Sequence, residues 1–346
     1  MKRILLSTLL AASWLLSMAQ WHWSPDTLGV GFEKCYFDQG RSYDGEVRST
    51  VIRYVGDADT TSAVGALYIH GFNDYFFQIE MAQEFAAHGY SFYAVDLRRY
   101  GRSLLPGERR CDIRDMRKYF SDIDSALSVM HAYGVRKVAL IGHSTGGLLA
   151  AYYCSYNQQA DTLIRALVLN SPFLDWNLGK LEPFVGAISN LGKLFPNMNI
   201  SQSPSTTYAE SLMRDGGHGE WGFNKEWKSP HSPDVTAGWV RAINSAQRYL
   251  RHHKYSIPEP VLVMYSSKSI SAPEWTPAAD SADVVLDVAE IKKLGSTLGR
   301  NVTLYKVNGG IHDLILSAPD VRYPLYRRMF GWLDRAMNNT NPKVVL

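Results

Sequence analysis

The segment Val138-Ala-Leu-Ile-Gly-His-Ser-Thr-Gly-Gly147 places one serine, Ser144, between Gly142 and Gly146, where a short apolar run gives way to a helical segment at 148–156. A serine hydroxyl can act as a nucleophile when a tight strand-to-helix turn holds it exposed. Glycines two residues before and two after let the strand and helix pass closely. The helix N-terminus also points free N–H groups at developing negative charge. The chemistry such a turn serves is acyl transfer through a covalent serine intermediate.

A neutral serine is a weak nucleophile, so the reading requires a base, a carboxylate to orient it and donors for an oxyanion. Gly309-Gly-Ile-His-Asp313 follows a strand-like run at 302–307, and His312 stands where the base of such an arrangement belongs, after the last strand. The orienting carboxylate should come from the long loop after the apolar run 260–264. That loop offers Glu274, Asp280, Asp283 and Asp287. Asp283 is preferred because Val284-Val-Leu-Asp287 after it reads as a turn into a helix. Asp280 stands second and Asp287 third, each with a helix cap as the plain alternative. For the oxyanion, His70-Gly71-Phe72-Asn73-Asp74 follows an apolar strand, so the Phe72 N–H can pair with that of Thr145. His70 precedes Ser144 in the chain and reads as a buried turn residue. His70, Asp74 and His143 lack the spacing of a metal set, so no metal is expected.

These residues need elements to hold them. Continuous apolar runs at 63–69, 91–95, 138–141, 166–169 and 260–264 read as strands buried on both faces. Helical stretches at 75–88, 120–133, 291–298 and 322–337 alternate with them, and 31–54 reads as an antiparallel start. The alternation predicts an α/β fold with a mostly parallel, doubly wound sheet. Residues 173–257 break the rhythm with helices at 180–194, 208–214 and 237–252, several prolines, and Trp176, Trp221, Trp227 and Trp239. This stretch reads as a helical cap inserted into a core of 20–172 and 258–346, shaping an apolar cleft.

The 346 residues are 46% hydrophobic, with 36 basic and 33 acidic side chains and a formal charge of +3. That near balance gives no basic patch for nucleic acid. No phosphate-cradling or dinucleotide glycine motif appears, so no cofactor is expected. Lys2 and Arg3 precede an apolar run at 4–18 ending in Ser17-Met18-Ala19. Residues 1–19 therefore read as a signal peptide, with export to the periplasm or outside the cell and no membrane span after cleavage. Of three cysteines, Cys154 reads as buried, while Cys35 and Cys111 could pair.

Taken together, His70-Gly71, Asp96-Leu-Arg-Arg-Tyr-Gly-Arg-Ser103, Gly142-His-Ser-Thr-Gly146, Ser281-Ala-Asp283 and Gly310-Ile-His312 resemble the α/β-hydrolase superfamily. The resemblance spans about residues 45–335 and lies nearest the monoglyceride-lipase and lysophospholipase-like branch, often labelled serine-aminopeptidase-like. Arg99 stands where that family's Asp-x-x-Gly-x-Gly-x-Ser loop has its first glycine, and Tyr100 where a histidine is common. The resemblance implies a Ser144–Asp283–His312 triad. It also implies a serine hydrolase of small carboxylic esters; the aromatic residues of the insertion, not the resemblance, favour an apolar acyl group. A peptidase or amidase of the same fold is the alternative; Glu210, Asp215 and Glu220 lie in the insertion, but their spacing marks no amine site. A non-catalytic binding protein on the same scaffold is a third reading.

Overall fold

The structure, a computed structural model, describes residues 21–56, 62–157, 163–178, 182–202 and 205–338. Its centre is a sheet of nine strands in the order β1-β2-β3-β5-β4-β6-β7-β10-β11. These are β1 (Ser24–Pro25), β2 (Phe32–Ser42), β3 (Gly45–Tyr54), β4 (Val64–Ile69), β5 (Ser91–Asp96), β6 (Lys137–His143), β7 (Ile164–Asn170), β10 (Val261–Ser266) and β11 (Val302–Val307). The first three strands are antiparallel, and β3 joins β5 antiparallel. From β5 to β11 every pairing is parallel. The α/β, mostly parallel, doubly wound architecture is therefore present.

The apolar runs become strands because the sheet is covered on both faces. Alternate residues of β4 point opposite ways: Leu67 and Ile69 join one buried cluster, Ala66 and Tyr68 the other. The first cluster is closed by α2 (Phe120–Ala132) and α3 (Thr145–Tyr156), through Ile123, Met130, Leu148 and Leu149. The second is closed by α1 (Ile79–Ala87) and α8 (Pro319–Asn338), through Phe85, Phe330 and Leu333. Between β10 and β11 lies α7 (Val288–Gly295).

Between β7 and β10 the chain makes α4 (Glu182–Leu194), β8 (Asn199–Ile200), α5 (Thr207–Leu212), β9 (Val235–Thr236) and α6 (Ala237–His252). Strands β8 and β9 form a separate antiparallel pair. The Thr236 hydroxyl caps α6 by accepting the Trp239 N–H at 2.9 Å, and donates to Asp112 of the core at 2.6 Å. Helix α6 packs on α4 and on α3, so the insertion rests on the helix that follows Ser144.

Several expectations shift. The helix read at 75–88 begins only at Ile79, because Asp96 and Gln78 side chains take the N–H groups of Phe76 and Phe77. The helix read at 291–298 occupies Val288–Gly295, where Asp287 caps it through the Ala289 N–H. Cys35 and Cys111 do not pair: all three cysteines are free and buried. Burial pushes the Cys111 thiol up to about 12. The segment 1–19, read as a signal peptide, lies outside the described residues. Among those residues no helix is long and apolar enough to cross a membrane.

Candidate active site

Strand β6 ends at His143, and Ser144 turns the chain into α3 with φ 53° and ψ −116°. That left-handed backbone is strained for a residue with a side chain, and surrounding contacts hold it. Ser144 N–H donates to Asn170 O at 2.9 Å, and its carbonyl accepts from Phe173 N at 2.9 Å and Leu148 N at 3.0 Å. The flanking glycines are required by close backbone approach. A Cβ on Gly142 would lie 2.4 Å from Gly146 O, and one on Gly146 would lie 2.3 Å from His70 O. A residue with a side chain at either position would push α3 away from the sheet.

The Ser144 Oγ lies 3.0 Å from His312 Nε2, and His312 Nδ1 lies 2.9 Å from Asp283 Oδ2. The other oxygen, Asp283 Oδ1, accepts the Val285 and Leu286 N–H groups at 2.8 Å each. The backbone anchors Asp283 a second time, through N–H to Lys268 O and O to Ile270 N–H, both at 3.0 Å. All three side chains are buried. The other loop carboxylates go elsewhere. Asp280 accepts from Trp275 Nε1 at 2.9 Å, Asp287 caps α7, and Glu274 lines a cleft with Glu210 and His218.

Gly71 and Thr145 both adjoin Ser144. Thr145 opens α3, so its N–H has no partner within the helix. Phe72 follows Gly71, where an added Cβ would lie 3.1 Å from Ser144 Cβ. His70 has a fixed structural task. Its Nε2 accepts the Leu97 N–H at 3.1 Å and its Nδ1 stands 2.8 Å from Gly71 O, which makes Nδ1 the protonated nitrogen of a neutral ring. Burial lowers its pKa, in keeping with that neutral form. The loop after β5 is held similarly. Asp96 accepts from Phe76 N and Arg102, and Arg102 reaches on to Asp26 at 2.7 Å. Arg99, at the departure from the family's glycine, takes φ 68° and pairs with Asp44.

Asp313 and three residues that carried no signal in the sequence, Asn170, Tyr208 and Lys228, support the base and its buried neighbours. Asn170 donates to Asp313 Oδ1 at 2.6 Å and accepts the Leu314 N–H at 3.2 Å, which ties the His312 loop to the end of β7. The Tyr208 ring stands edge-on to His312 with centroids 5.3 Å apart. Lys228, from the insertion, is buried with its Nζ 3.1 Å from Asp74 Oδ1. Burial by itself would raise the Asp74 carboxyl; the Lys228 ammonium, the largest opposing influence, overturns that and the carboxyl lies well below the usual carboxylate range. Only Asp313, adjacent to His312, could have been suspected from its position.

A parallel sheet with a serine on a strained strand-to-helix turn, facing a histidine and a carboxylate from later loops, defines an α/β-hydrolase. The chain belongs to the family described as serine aminopeptidase, S33, whose model matches residues 64–318. It is similar in structure to the monoacylglycerol lipase of Paleococcus ferrophilus: 18% identity over 78% of this chain and 93% of that one, TM-score 0.58. It is also similar to a soluble variant of the Saccharomyces cerevisiae monoglyceride lipase: 16% identity, 92% and 94% covered, TM-score 0.59. A third likeness is to Est1E of Butyrivibrio proteoclasticus, solved with ferulic acid: 12% identity, 86% and 98% covered, TM-score 0.54. No curated protein matches the chain in sequence.

Proposed function

We propose that this protein hydrolyses small carboxylic esters through an acyl-enzyme on Ser144. The observation that carries the reading is the continuous chain from Ser144 Oγ through His312 to the doubly anchored Asp283, at 3.0 and 2.9 Å. Ser144 attacks the ester carbonyl while His312 Nε2 takes its proton. Asp283 keeps the other imidazole nitrogen protonated and oriented. The Phe72 and Thr145 N–H groups receive the oxyanion, and His312 returns its proton to the departing alcohol. Water then repeats the sequence on the acyl-enzyme.

An apolar acyl group suits the residues beside the oxyanion loop. Phe173, Trp176, Trp239 and Phe72 form a run of ring contacts with centroids 5.1, 5.9 and 4.9 Å apart, ending at the residue that carries the oxyanion donor. That two of the similar structures are monoglyceride lipases agrees with this choice. The family's description favours a peptidase as the second reading. An aminopeptidase needs a free carboxylate for the substrate amine; Glu220 pairs with Arg322 and Glu210 accepts from the Thr206 hydroxyl, which leaves Asp215 as the carboxylate that reading would use. The insertion at 173–257 acts in this reading as the cap over the cleft.

The test is hydrolysis of p-nitrophenyl esters from acetate to palmitate, beside aminoacyl p-nitroanilides, by wild type and Ser144→Ala. Ester turnover that vanishes in the variant supports the reading. Anilide turnover with no ester turnover assigns the peptidase. Export is part of the same proposal and rests on the sequence pattern of residues 1–19. N-terminal sequencing of the protein recovered outside the cytoplasm tests it, with a mature chain beginning near Gln20 as the expected result.

A further inference from the structure

Each catalytic element carries a buried ionisable neighbour, and these neighbours meet. His143 precedes the nucleophile, Asp313 follows the base, and Asp74 lies two residues after the oxyanion donor. His143 Nδ1 stands 3.7 Å from Asp74 Oδ2 and 3.8 Å from Asp313 Oδ2, beyond hydrogen-bond reach, and neither of its ring nitrogens has a hydrogen-bond partner. Its ring centroid is 5.0 Å from that of His312. Two carboxylates and two imidazoles are thus enclosed, each at two per cent exposure or less.

The balancing charge comes from the insertion. Lys228 Nζ lies 3.1 Å from Asp74 Oδ1, among the rings of Tyr208, Phe77 and Phe223 at 5.4, 5.8 and 5.8 Å. The next residue is clasped by the oxyanion loop: Asn73 Nδ2 donates to Ser229 O at 2.8 Å, and Ser229 N–H donates to Asn73 Oδ1 at 3.3 Å. By spacing, Asp74, His143 and Asp313 could ligate a metal ion, but the ammonium already supplies the cationic charge beside Asp74.

We propose that Lys228 is a positioning residue for the base: its buried charge offsets Asp74 and Asp313, so that the carboxylates do not draw a proton onto the imidazoles of His143 and His312. His312 must be neutral to accept the Ser144 proton. Without Lys228 the enclosed charge becomes more negative, which favours imidazolium and removes the base at neutral pH. The titratable groups facing this cluster from the packed elements are Tyr68 on β4, Tyr75, Cys111, Tyr208 on α5, Tyr326 on α8, His70 and Asp283. His70 is held neutral by its two bonds, and Asp283 is committed to His312 and the backbone, which leaves Lys228 as the basic side chain paired with Asp74.

The inference rests on the triad reading, and fluorophosphonate labelling of Ser144 separates the two. Labelling rates and ester kcat/KM are measured from pH 5 to 10 for wild type, Lys228→Met, Asp74→Asn and the double variant. The expected result is an acid limb moved up by about one pH unit in Lys228→Met. It moves down in Asp74→Asn and returns near wild type in the double variant. If Lys228→Met does not fold, the opposite shift in Asp74→Asn still tests the charge. Identical acid limbs in the folded variants, with only stability altered, overturn the proposal and leave a structural latch. Stabilisation of wild type by zinc or manganese that Asp74→Asn abolishes overturns it in favour of a metal site. A wild type that is not labelled at any pH defeats the triad reading instead.

Discussion

Asp283 divides its two oxygens between the base and the backbone: Oδ2 meets His312 Nδ1 at 2.9 Å, while Oδ1 accepts the Val285 and Leu286 N–H groups at 2.8 Å. The carboxylate is therefore fixed before His312 is placed against it, and the imidazole takes its orientation from a group that cannot swing. Replacement by Asn keeps the size but lets the amide present its N–H, which reverses the tautomer. Asp283→Asn should lower kcat by about 10^3- to 10^4-fold with the fold intact. Asp280→Asn and Asp287→Asn should stay within about threefold of wild type. Steady-state kinetics of the three variants, with circular dichroism as the fold control, decide between the carboxylates.

The elbow tolerates no side chain at Gly146. An added Cβ would meet His70 O at 2.3 Å and Ile69 O at 2.5 Å, both backbone atoms that cannot rotate away. Gly146→Ala should destabilise by about 3 kcal/mol or more. Thermal unfolding measures it, and a Tm within a degree of wild type would contradict the packing described.

Removing the Phe72 ring leaves its N–H in place. Phe72→Ala should therefore keep most of the activity on an acetate ester and lose about tenfold in kcat/KM on a decanoate ester. The ratio of the two substrates is the readout. An equal loss on both would detach the aromatic run from acyl recognition.

Asp26 is buried, which by itself would raise its pKa, but the Arg102 guanidinium more than offsets this and the net shift is downward. A depressed folded-state value gives stability that is complete above the unfolded pKa of about 3.9 and lost as pH falls through the folded value. The stability difference between wild type and Asp26→Asn should be about 3 kcal/mol at pH 7 and shrink steadily below about pH 4. Urea midpoints at pH 7 and pH 3.5 check the sign: a difference that grows on acidification would refute the pairing.

Cys35, Cys111 and Cys154 are buried and unpaired. None should react with a thiol reagent in the native protein, all three should titrate in denaturant, and reducing agent should leave Tm unchanged. A single titratable thiol in denaturant, where three are expected, would mean a disulfide after all.

How much of this was legible in the sequence depends on distance along the chain. The turn at Ser144 was legible because its glycines lie within two residues of the serine: Gly142 avoids backbone of the same elbow, although Gly146 makes room for the Ile69 and His70 backbone from the neighbouring strand. The central strands were legible because burial on both faces leaves an unbroken apolar run, as in Val261–Ser266. The helix expected from residue 75 was not, since what delays it to Ile79 is the Asp96 carboxylate, twenty residues away and on the next strand.

The amino-acid sequence by itself determined the type of chemistry, the strand–turn–helix that presents Ser144, and the late position of His312. Only the tertiary structure decided which of Glu274, Asp280, Asp283 and Asp287 meets that histidine, that Cys35 and Cys111 stay apart, and that Asp74, His143, Lys228 and Asp313 share one buried enclosure. Turn chemistry and hydrophobic period act over a few residues and leave their mark in order and spacing. A meeting of side chains drawn from positions 74, 143, 228 and 313 leaves none, because packing of the sheet, its helices and the insertion fixes it, and that packing is settled only when the whole chain has folded.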